Sequence, residues 1–262
     1  MNYEALQFRV DDGVAFVTLS RPSAANALDL TMAEELLDAT ILCHTRRDVR
    51  AVLLTGEGSA FCAGGDVKTF AESGTALPEL LAQLTTYLHA AVTRLARMDV
   101  PVIAAVNGVA AGAGMSLACA CDVMLVAASA RFTMAYTRLG FAPDGGSTFA
   151  LARLVGLRRA QELMLTNRVL AAAEALEWGL ATRVVPDAEL AAEAEKTARQ
   201  LAAGPTRAFG AVKRLLLASA TTTLETQMEH ETREIVLTGR SADGQEGVAA
   251  FAAKRPPRFI GA

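Results

Sequence analysis

Two glycine-rich segments of the chain could each direct main-chain N–H groups at a ligand. They are residues 61–66, with the sequence FCAGGD, and residues 107–114, with the sequence NGVAAGAG. Each follows an apolar run that predicts a buried strand, at 51–54 and 102–106, and each precedes a segment of helical character. The second loop leads into a helix N-terminus, which favours negative charge. Two converging N–H donors stabilise an oxyanion, so the loops indicate chemistry at an acyl group.

Two other interpretations of the loops remain open at this point. Both could be simple turns between a strand and a helix, since glycine permits tight backbone geometry. The second loop also contains part of the G-x-G-x-x-G pattern of dinucleotide-binding proteins. However, Leu117 stands at the third glycine position, and the acidic residue expected after a second strand is not evident.

The composition sets limits on the class of protein. The chain has 262 residues, of which 52% are hydrophobic and 20% charged, and it suits one large domain or a domain with a helical appendage. A net charge of −3 gives no sign of nucleic acid or an anionic membrane as a partner. No signal peptide or membrane span is evident. The four cysteines lack C-x-x-C spacing, so we expect reduced thiols, no metal site and a cytoplasmic location.

Hydrophobic periodicity predicts an α/β core followed by helices. Predicted strands lie at 8–10, 14–19, 51–54, 102–106, 123–126 and 183–185. The first predicted helix begins near Thr31, with Thr31 as N-cap and Glu34 completing a capping box. A long helix at 78–96 and a short one at 113–119 follow. Further helices are predicted at 149–154, 158–165, 172–178, 188–203, 206–218, 223–237 and 244–253. We therefore expect an α/β core over residues 1–200 and a C-terminal helical region over residues 201–262.

An ordered set of motifs along nearly the whole chain resembles the crotonase (enoyl-CoA hydratase/isomerase) superfamily. The set comprises Arg21-Pro22 with Asn26-Ala27-Leu28, the segment 61–66, PVIAAVNG at 101–108 with its glycine loop, GFAPDGG at 140–146, ALEWGL at 175–180 and FAAKR at 251–255. The resemblance implies a ββα spiral core with a C-terminal helical trimerisation region. It also implies a homotrimer or dimer of trimers, an acyl-CoA thioester as ligand, and no separate cofactor, because coenzyme A is part of the substrate.

The resemblance also implies a role for individual residues. The oxyanion donors would be the backbone N–H groups of Gly65 and Ala113. The coenzyme A portion would contact the main chain, and Phe251 and Lys254 would reach its nucleotide end from an adjacent subunit. The remaining positions of the implied substrate-binding set are Ala24, Ala25, Ala63, Gly64, Asp66, Val67, His89, Gly112 and Tyr136.

The residues at the two catalytic glutamate positions of enoyl-CoA hydratases differ here. They are Ser116 and Tyr136, and neither can act as a carboxylate base. Asp144, in the turn Pro143-Asp144-Gly145-Gly146, instead resembles the catalytic aspartate of the phenylacetate-pathway isomerases. A single base suits isomerisation, in which one group removes a proton beside the thioester and returns it elsewhere. Alternatively, Asp144 caps the helix that begins after Gly146.

Other interpretations of the chemistry stay open. His89 is either a partly buried structural histidine or, with Asp144, part of a pattern similar to aryl-CoA dehalogenases, where the aspartate attacks the ring and the histidine activates water. Tyr136 could hydrogen-bond the acyl ligand or only line the pocket. An enoyl-CoA hydratase remains a further enzymatic alternative. From a different class, loss of both glutamates would also suit a non-catalytic acyl-CoA-binding protein.

Overall fold

The structure is a computed structural model that describes residues 3–262. Within that range the chain forms ten strands and eleven α-helices. The strands are β1 Leu6–Asp11, β2 Val14–Leu19, β3 Ala51–Gly56, β4 Ala60–Cys62, β5 Val102–Val106, β6 Val109–Ala111, β7 Val123–Ala127, β8 Arg131–Thr133, β9 Leu170–Ala171 and β10 Arg183–Val185. The helices are α1 Leu30–Thr45, α2 Val67–Ser73, α3 Leu77–Arg97, α4 Ala113–Cys119, α5 Ser147–Val155, α6 Leu157–Thr166, α7 Ala172–Glu177, α8 Leu190–Ala202, α9 Thr206–Ser219, α10 Leu224–Gly239 and α11 Ala242–Ala252.

The larger sheet has six strands in the order β1-β2-β3-β5-β7-β10. The strands β2, β3, β5, β7 and β10 are parallel, and β1 forms an antiparallel hairpin with β2. Every residue of β5 is buried, as expected for a parallel strand that is covered on both faces. Helix α8 packs against β2, β3, β5 and β7, while α1 packs against α3. The α/β core predicted from periodicity is confirmed.

A second, smaller sheet, in the order β4-β6-β8-β9, was not evident from the sequence. Its strands have two or three residues each, too few to show an alternating pattern. The first three are parallel, and β9 is antiparallel to β8. The glycine loops were expected to follow β3 and β5 directly. The segment 107–114 does follow β5 directly, but it contains β6, and β4 overlaps the start of the segment 61–66, so the smaller sheet positions both.

The predicted N-cap of helix α1 is wrong. The cap is Asp29, whose carboxylate accepts a hydrogen bond of 2.9 Å from the Met32 N–H, and the helix begins at Leu30. Asp29 also forms an ion pair with Arg21 at 3.0 Å. A carboxylate satisfies the free N–H groups of the first turn and complements the helix dipole, which explains why it replaces the neighbouring Thr31 in this role.

The C-terminal helices α9, α10 and α11 follow one another as the sequence predicts. The expected division between residues 200 and 201 falls near the end of α8, a helix that packs on the large sheet. The division into a 1–200 core and a 201–262 region stays a prediction. Among residues 3–262, no helix is long and apolar enough to cross a membrane. The four cysteines are free thiols, and burial raises the pKa of Cys43, Cys62 and Cys119 to about 12.

One ion pair ties helix α9 to the core. The ammonium group of Lys213, whose side chain is 8% exposed, lies 2.7 Å from Asp122 Oδ2 and donates to the carbonyl oxygens of Leu95 and Val100. Asp122 also accepts the Val102 N–H at 2.8 Å, so it fixes the start of β5. Burial raises the pKa of Asp122, and Lys213 opposes that shift. Asp122 therefore has a structural role, in which it links the start of β5 to Lys213 on α9.

Replacing Lys213 with methionine is expected to destabilise the protein by about 3 kcal/mol, because it leaves a partly buried carboxylate, 27% exposed, and two carbonyl oxygens without their partner. Chemical denaturation followed by circular dichroism measures the change. The matched control is Lys196→Met on α8, where the lysine side chain is 74% exposed and a change below about 0.5 kcal/mol is expected. Equal stability of the two variants would contradict the proposed anchoring role.

Candidate active site

A cavity of about 490 Å³ lies where β4, β6 and β8 end. The carboxyl ends of parallel strands meet at one edge of a sheet, so the segments that follow them share a cleft. The loop after β4, the loop into α4 and the segment after β8 all contribute to the cavity wall. The predicted site residues that line the cavity are Ala63, Gly64, Gly65, Val67, Gly112, Ala113, Tyr136 and Asp144.

The two glycine loops lie side by side because β4 pairs with β6. Ala60 is opposite Val109, and Cys62 is opposite Ala110. The approach is close enough that a side chain at Gly114 would clash with the Cys62 carbonyl oxygen. Gly64 has a φ of +98°, which only glycine adopts without strain. These glycines therefore permit the close contact between the loops that brings residues 63–65 next to 112–113.

The N–H groups of Gly65 and Ala113 have no hydrogen-bond partner in the described part of the chain. At Gly65, the neighbouring bonds run from Leu28 N–H to the Gly64 carbonyl and from Asp66 N–H to the Leu28 carbonyl, which leaves the Gly65 donor unused. Ala113 is the first residue of α4, and the first N–H groups of a helix have no acceptor within the helix. Unpaired main-chain donors beside a cavity can bind an anionic or polarised oxygen.

The carboxylate of Asp144 is held by a chain of hydroxyl groups. The Tyr136 hydroxyl donates to Asp144 Oδ1, and the Ser116 hydroxyl lies 3.0 Å from the Tyr136 oxygen. Burial, followed by the negative charge of Asp144, raises the pKa of Tyr136, so the phenol stays a hydrogen-bond donor. The alternative of a helix cap is not what the structure shows, since the Gly146 cap of α5 receives no side-chain bond and the Asp144 side chain turns to Tyr136.

His89 lies on α3 behind the aspartate and does not line the cavity. Its Nε2 accepts the Gly145 N–H at 3.1 Å and lies 3.5 Å from Asp144 Oδ2. Because Nε2 accepts this bond, the neutral tautomer with the proton on Nδ1 fits the arrangement. The imidazole is 49% exposed, so the half-exposed ring contacts both solvent and the aspartate turn.

Asp66 serves the architecture of the first loop. Its carboxylate caps α2 by accepting the Thr69 N–H at 3.3 Å and pairs with Arg21 at 2.9 Å. Burial alone would raise the pKa of Asp66, but the bonds from Arg21 and Thr69 outweigh it and lower that pKa. Arg21 in turn bridges Asp66 and Asp29. This cluster fixes where α2 begins, at Val67, directly after the Asp66 cap.

The remaining predicted binding residues lie outside the cavity wall. The Ala25 carbonyl accepts the Ala63 N–H at 3.0 Å, which places Ala24 and Ala25 beside the first loop. Phe251, which is 88% exposed, and Lys254 lie at the end of α11 and in the segment after it, and neither lines the cavity of its own chain. Their expected contact with a neighbouring subunit's ligand stays a prediction.

Sequence reasoning missed the apolar part of the site. Phe70 and Phe141 line the cavity with their ring centroids 6.3 Å apart, and Leu81 and Leu84 add to the same wall. Helix α2, which carries Phe70, was expected only as a segment of helical character after the first loop, and none of its apolar residues was singled out. The one signal available was Asp66 as an N-cap candidate after the glycines. Among residues 3–262, no group of three His, Cys, Asp or Glu could hold a metal ion.

Comparison with known proteins gives one family throughout. The family model described as enoyl-CoA hydratase/isomerase matches residues 9–262. The chain is 43% identical to the 1,2-epoxyphenylacetyl-CoA isomerase of Escherichia coli (98% of this chain, 99% of that protein) and 38% identical to 4-chlorobenzoyl coenzyme A dehalogenase-2 of an Arthrobacter species (93% and 88%). The crystal structure of an enoyl-CoA hydratase from Polaromonas sp. JS666 superposes with a TM-score of 0.93 at 34% identity (98% and 100%).

Replacing Asp144 with asparagine is expected to lower the pKa of Tyr136, because the substitution removes a negative charge beside the phenol. Alkaline titration followed by phenolate absorbance measures this ionisation, and Tyr136→Phe identifies the signal by difference. Since the folded-state pKa of Tyr136 is raised, the stability that it contributes is present below pH about 10 and is lost as the pH rises further. Identical ionisation of Tyr136 in the wild type and Asp144→Asn would show that the two groups do not interact.

Proposed function

Because this chain belongs to the enoyl-CoA hydratase/isomerase family and has the crotonase fold, we propose that it is an acyl-CoA isomerase in which Asp144 moves a proton. One observation carries the proposal. Among the described residues that line the cavity, Asp144 is the only carboxylate, and the cavity also holds the unpaired N–H groups of Gly65 and Ala113. The site therefore combines one base with two donors for a carbonyl oxygen.

In the proposed reaction, the N–H groups of Gly65 and Ala113 bind the thioester oxygen of an acyl-CoA. Asp144 removes a proton from a carbon next to the polarised carbonyl, and the C–H electron pair moves onto the carbonyl oxygen to give an enolate. The protonated Asp144, whose acidic proton exchanges with solvent, then delivers a proton to another carbon of the acyl group, and the carbonyl re-forms. The reaction uses no oxidant, reductant or water, and it needs no cofactor beyond the coenzyme A of the substrate.

Tyr136 and His89 position this base. The Tyr136 hydroxyl donates to Oδ1 of Asp144 and so fixes the orientation of the carboxylate. The His89 bond to Gly145 holds the turn that carries the aspartate. Ser116 supports Tyr136 from helix α4. A base with a fixed orientation suits transfer between two carbons of one bound substrate.

The arrangement gives less support to hydration. Activating water by the mechanism of two glutamates needs two carboxylates, and the corresponding positions hold Ser116 and Tyr136. In this structure those two side chains are hydrogen-bonded to each other and to Asp144. Isomerisation of the phenylacetate-pathway type or of a carbon–carbon double bond needs only one shuttle, which favours it over water addition.

A second candidate function is hydrolytic displacement on an aryl-CoA. The observation that favours it is the 3.5 Å separation between His89 Nε2 and Asp144 Oδ2. The Arthrobacter relative is a dehalogenase by name. Against it, His89 Nε2 is occupied by the Gly145 N–H and does not line the cavity. A histidine that activates water for attack at the site would need access to it.

We further propose a homotrimer or a dimer of trimers, with a cytoplasmic location as the sequence suggests. Apolar side chains are exposed on the C-terminal helices, including Leu216 (68%), Ile235 (71%) and Val248 (73%). Exposed apolar patches of this kind indicate contact surfaces. Phe251 lies on the same helical region and would then approach the ligand of a neighbouring subunit.

Asp144→Asn is expected to lower turnover by about a hundredfold to ten-thousandfold, because it removes the proton acceptor, while acyl-CoA affinity changes little. The assay uses unsaturated and aryl-acetyl CoA thioesters in deuterated water, followed by mass spectrometry and NMR. Deuterium on the acyl chain without net addition of water supports the isomerase. Turnover of Asp144→Asn at the wild-type rate would overturn the assignment of the base.

The same panel separates the alternatives. Addition of water across the double bond would select a hydratase, and halide release from 4-chlorobenzoyl-CoA would select displacement. The matched control is Asp187→Asn, because Asp187 is exposed, accepts the Ser129 N–H and does not line the cavity. The turnover of this variant should equal that of the wild type.

Light scattering after size-exclusion chromatography is expected to give three or six times the mass of one chain. Ile235→Glu on α10 should shift the protein to smaller species, because it places a charge in the proposed contact surface. Leu165→Glu on α6 is the control, since Leu165 is exposed to a similar extent (72%) outside the C-terminal helices. A wild-type protein that runs as a monomer at all concentrations would contradict the assembly.

A further inference from the structure

An aromatic wall runs along the cavity next to the first glycine loop. Phe70 and Phe141 lie 6.3 Å apart between ring centroids, with a tilt of 60° between the ring planes. Phe70 is 9% exposed and belongs to the hydrophobic core, while Phe141 packs against that core and is half-buried. Rings in contact at this distance leave no slot between them. They form one continuous surface that faces the cavity.

This wall begins at the Gly65 end of the cavity. A Cβ atom built on residue 65 would lie 2.5 Å from Phe70 Cζ and 2.7 Å from Phe70 Cε2, so the ring edge lies against the α-carbon of Gly65. Phe70 is four residues from Asp66, the cap of α2, and that cap is fixed by Arg21. The ring therefore has a defined position relative to Gly65, and a larger residue at position 65 would displace it.

We propose that Phe70 and Phe141 determine acyl-group specificity and select compact, planar cyclic acyl groups, such as arylacetyl groups, over extended aliphatic chains. The inference rests on the proposed function only in placing the thioester carbonyl at Gly65. With the carbonyl there, the carbons that follow it meet the Phe70 ring first. A ring one carbon from the carbonyl then packs against the Phe70–Phe141 wall.

Two physical terms favour a ring at this position. Aromatic pairs in offset or edge-to-face geometry gain free energy beyond the area that they bury. A rigid ring also loses less rotational freedom on binding than a flexible chain with the same number of carbons. The neighbouring Leu81 and Leu84 supply apolar contact to either type of group, so the difference between the two ligand classes comes from the aromatic wall.

The test compares equilibrium binding of phenylacetyl-CoA and octanoyl-CoA, which have equal numbers of acyl carbons and no double bond in the chain to isomerise. Isothermal titration calorimetry is performed on the wild type, Phe70→Leu and Phe141→Leu. We expect the wild type to prefer phenylacetyl-CoA, and each variant to reduce that preference about fivefold to tenfold. The control is Phe149→Leu on α5, where Phe149 stacks on Arg153 outside the cavity and should leave the preference unchanged.

Equal losses of affinity for both ligands, or an unchanged preference, would overturn the proposal. If Phe70→Leu fails to fold by circular dichroism, the half-buried Phe141 still provides the test. Because binding needs no proton transfer, the preference for the aryl ligand can hold even if Asp144→Asn shows that the proposed isomerase mechanism is wrong. Conversely, Asp144→Asn could lose turnover while the phenylalanine variants keep the preference for phenylacetyl-CoA. That result would support the isomerase and contradict a role of Phe70 and Phe141 in specificity.

Discussion

The pairing of β4 with β6 is the constraint on which the rest of the site depends. Each strand has only three residues, yet their parallel register places two glycine loops in contact. The backbone of Cys62 leaves no space for a side chain at position 114, so the loops approach as closely as main chains can. The free N–H groups of Gly65 and Ala113 then border one cavity. Each other part of the site is positioned relative to this pair.

The strand β8 is the next parallel strand of the smaller sheet. It lies next to β6, and the segment that follows it carries Tyr136 to the opposite wall of the cavity. Tyr136 contacts Ser116 on α4 and Asp144 on the next turn. Two residues at the positions of a glutamate pair thus serve as supports for a third residue. The carboxylate of this cavity thus lies on the loop before α5, at Asp144.

The strong periodic elements and the loops were predictable from the sequence, whereas the short elements were not. The strands β3, β5 and β7 and the helices α3 and α4 follow from apolar runs and helical spacing. The glycine loops and Asp144 were evident from residue types and from resemblance to the family. The strands β4, β6, β8 and β9 depend on tertiary pairing, which local pattern does not encode. Phe70 was missed for the same reason, because α2 is fixed by a contact between Asp66 and the distant Arg21.

The two free donors belong to the main chain, and this has an evolutionary consequence. A backbone N–H is present in any residue except proline. Substitutions that keep the loop conformation therefore keep the two donors that would bind a carbonyl oxygen. The carboxyl, phenol and imidazole groups come from α3 and from the segments after β8, where single codon changes can replace them. Proteins with this arrangement can therefore acquire a new reaction by side-chain substitution while the two backbone donors stay in place. The relatives that are 43% and 38% identical to this chain are named as an isomerase and a dehalogenase. Different reactions among relatives are expected where side chains change and backbone donors do not.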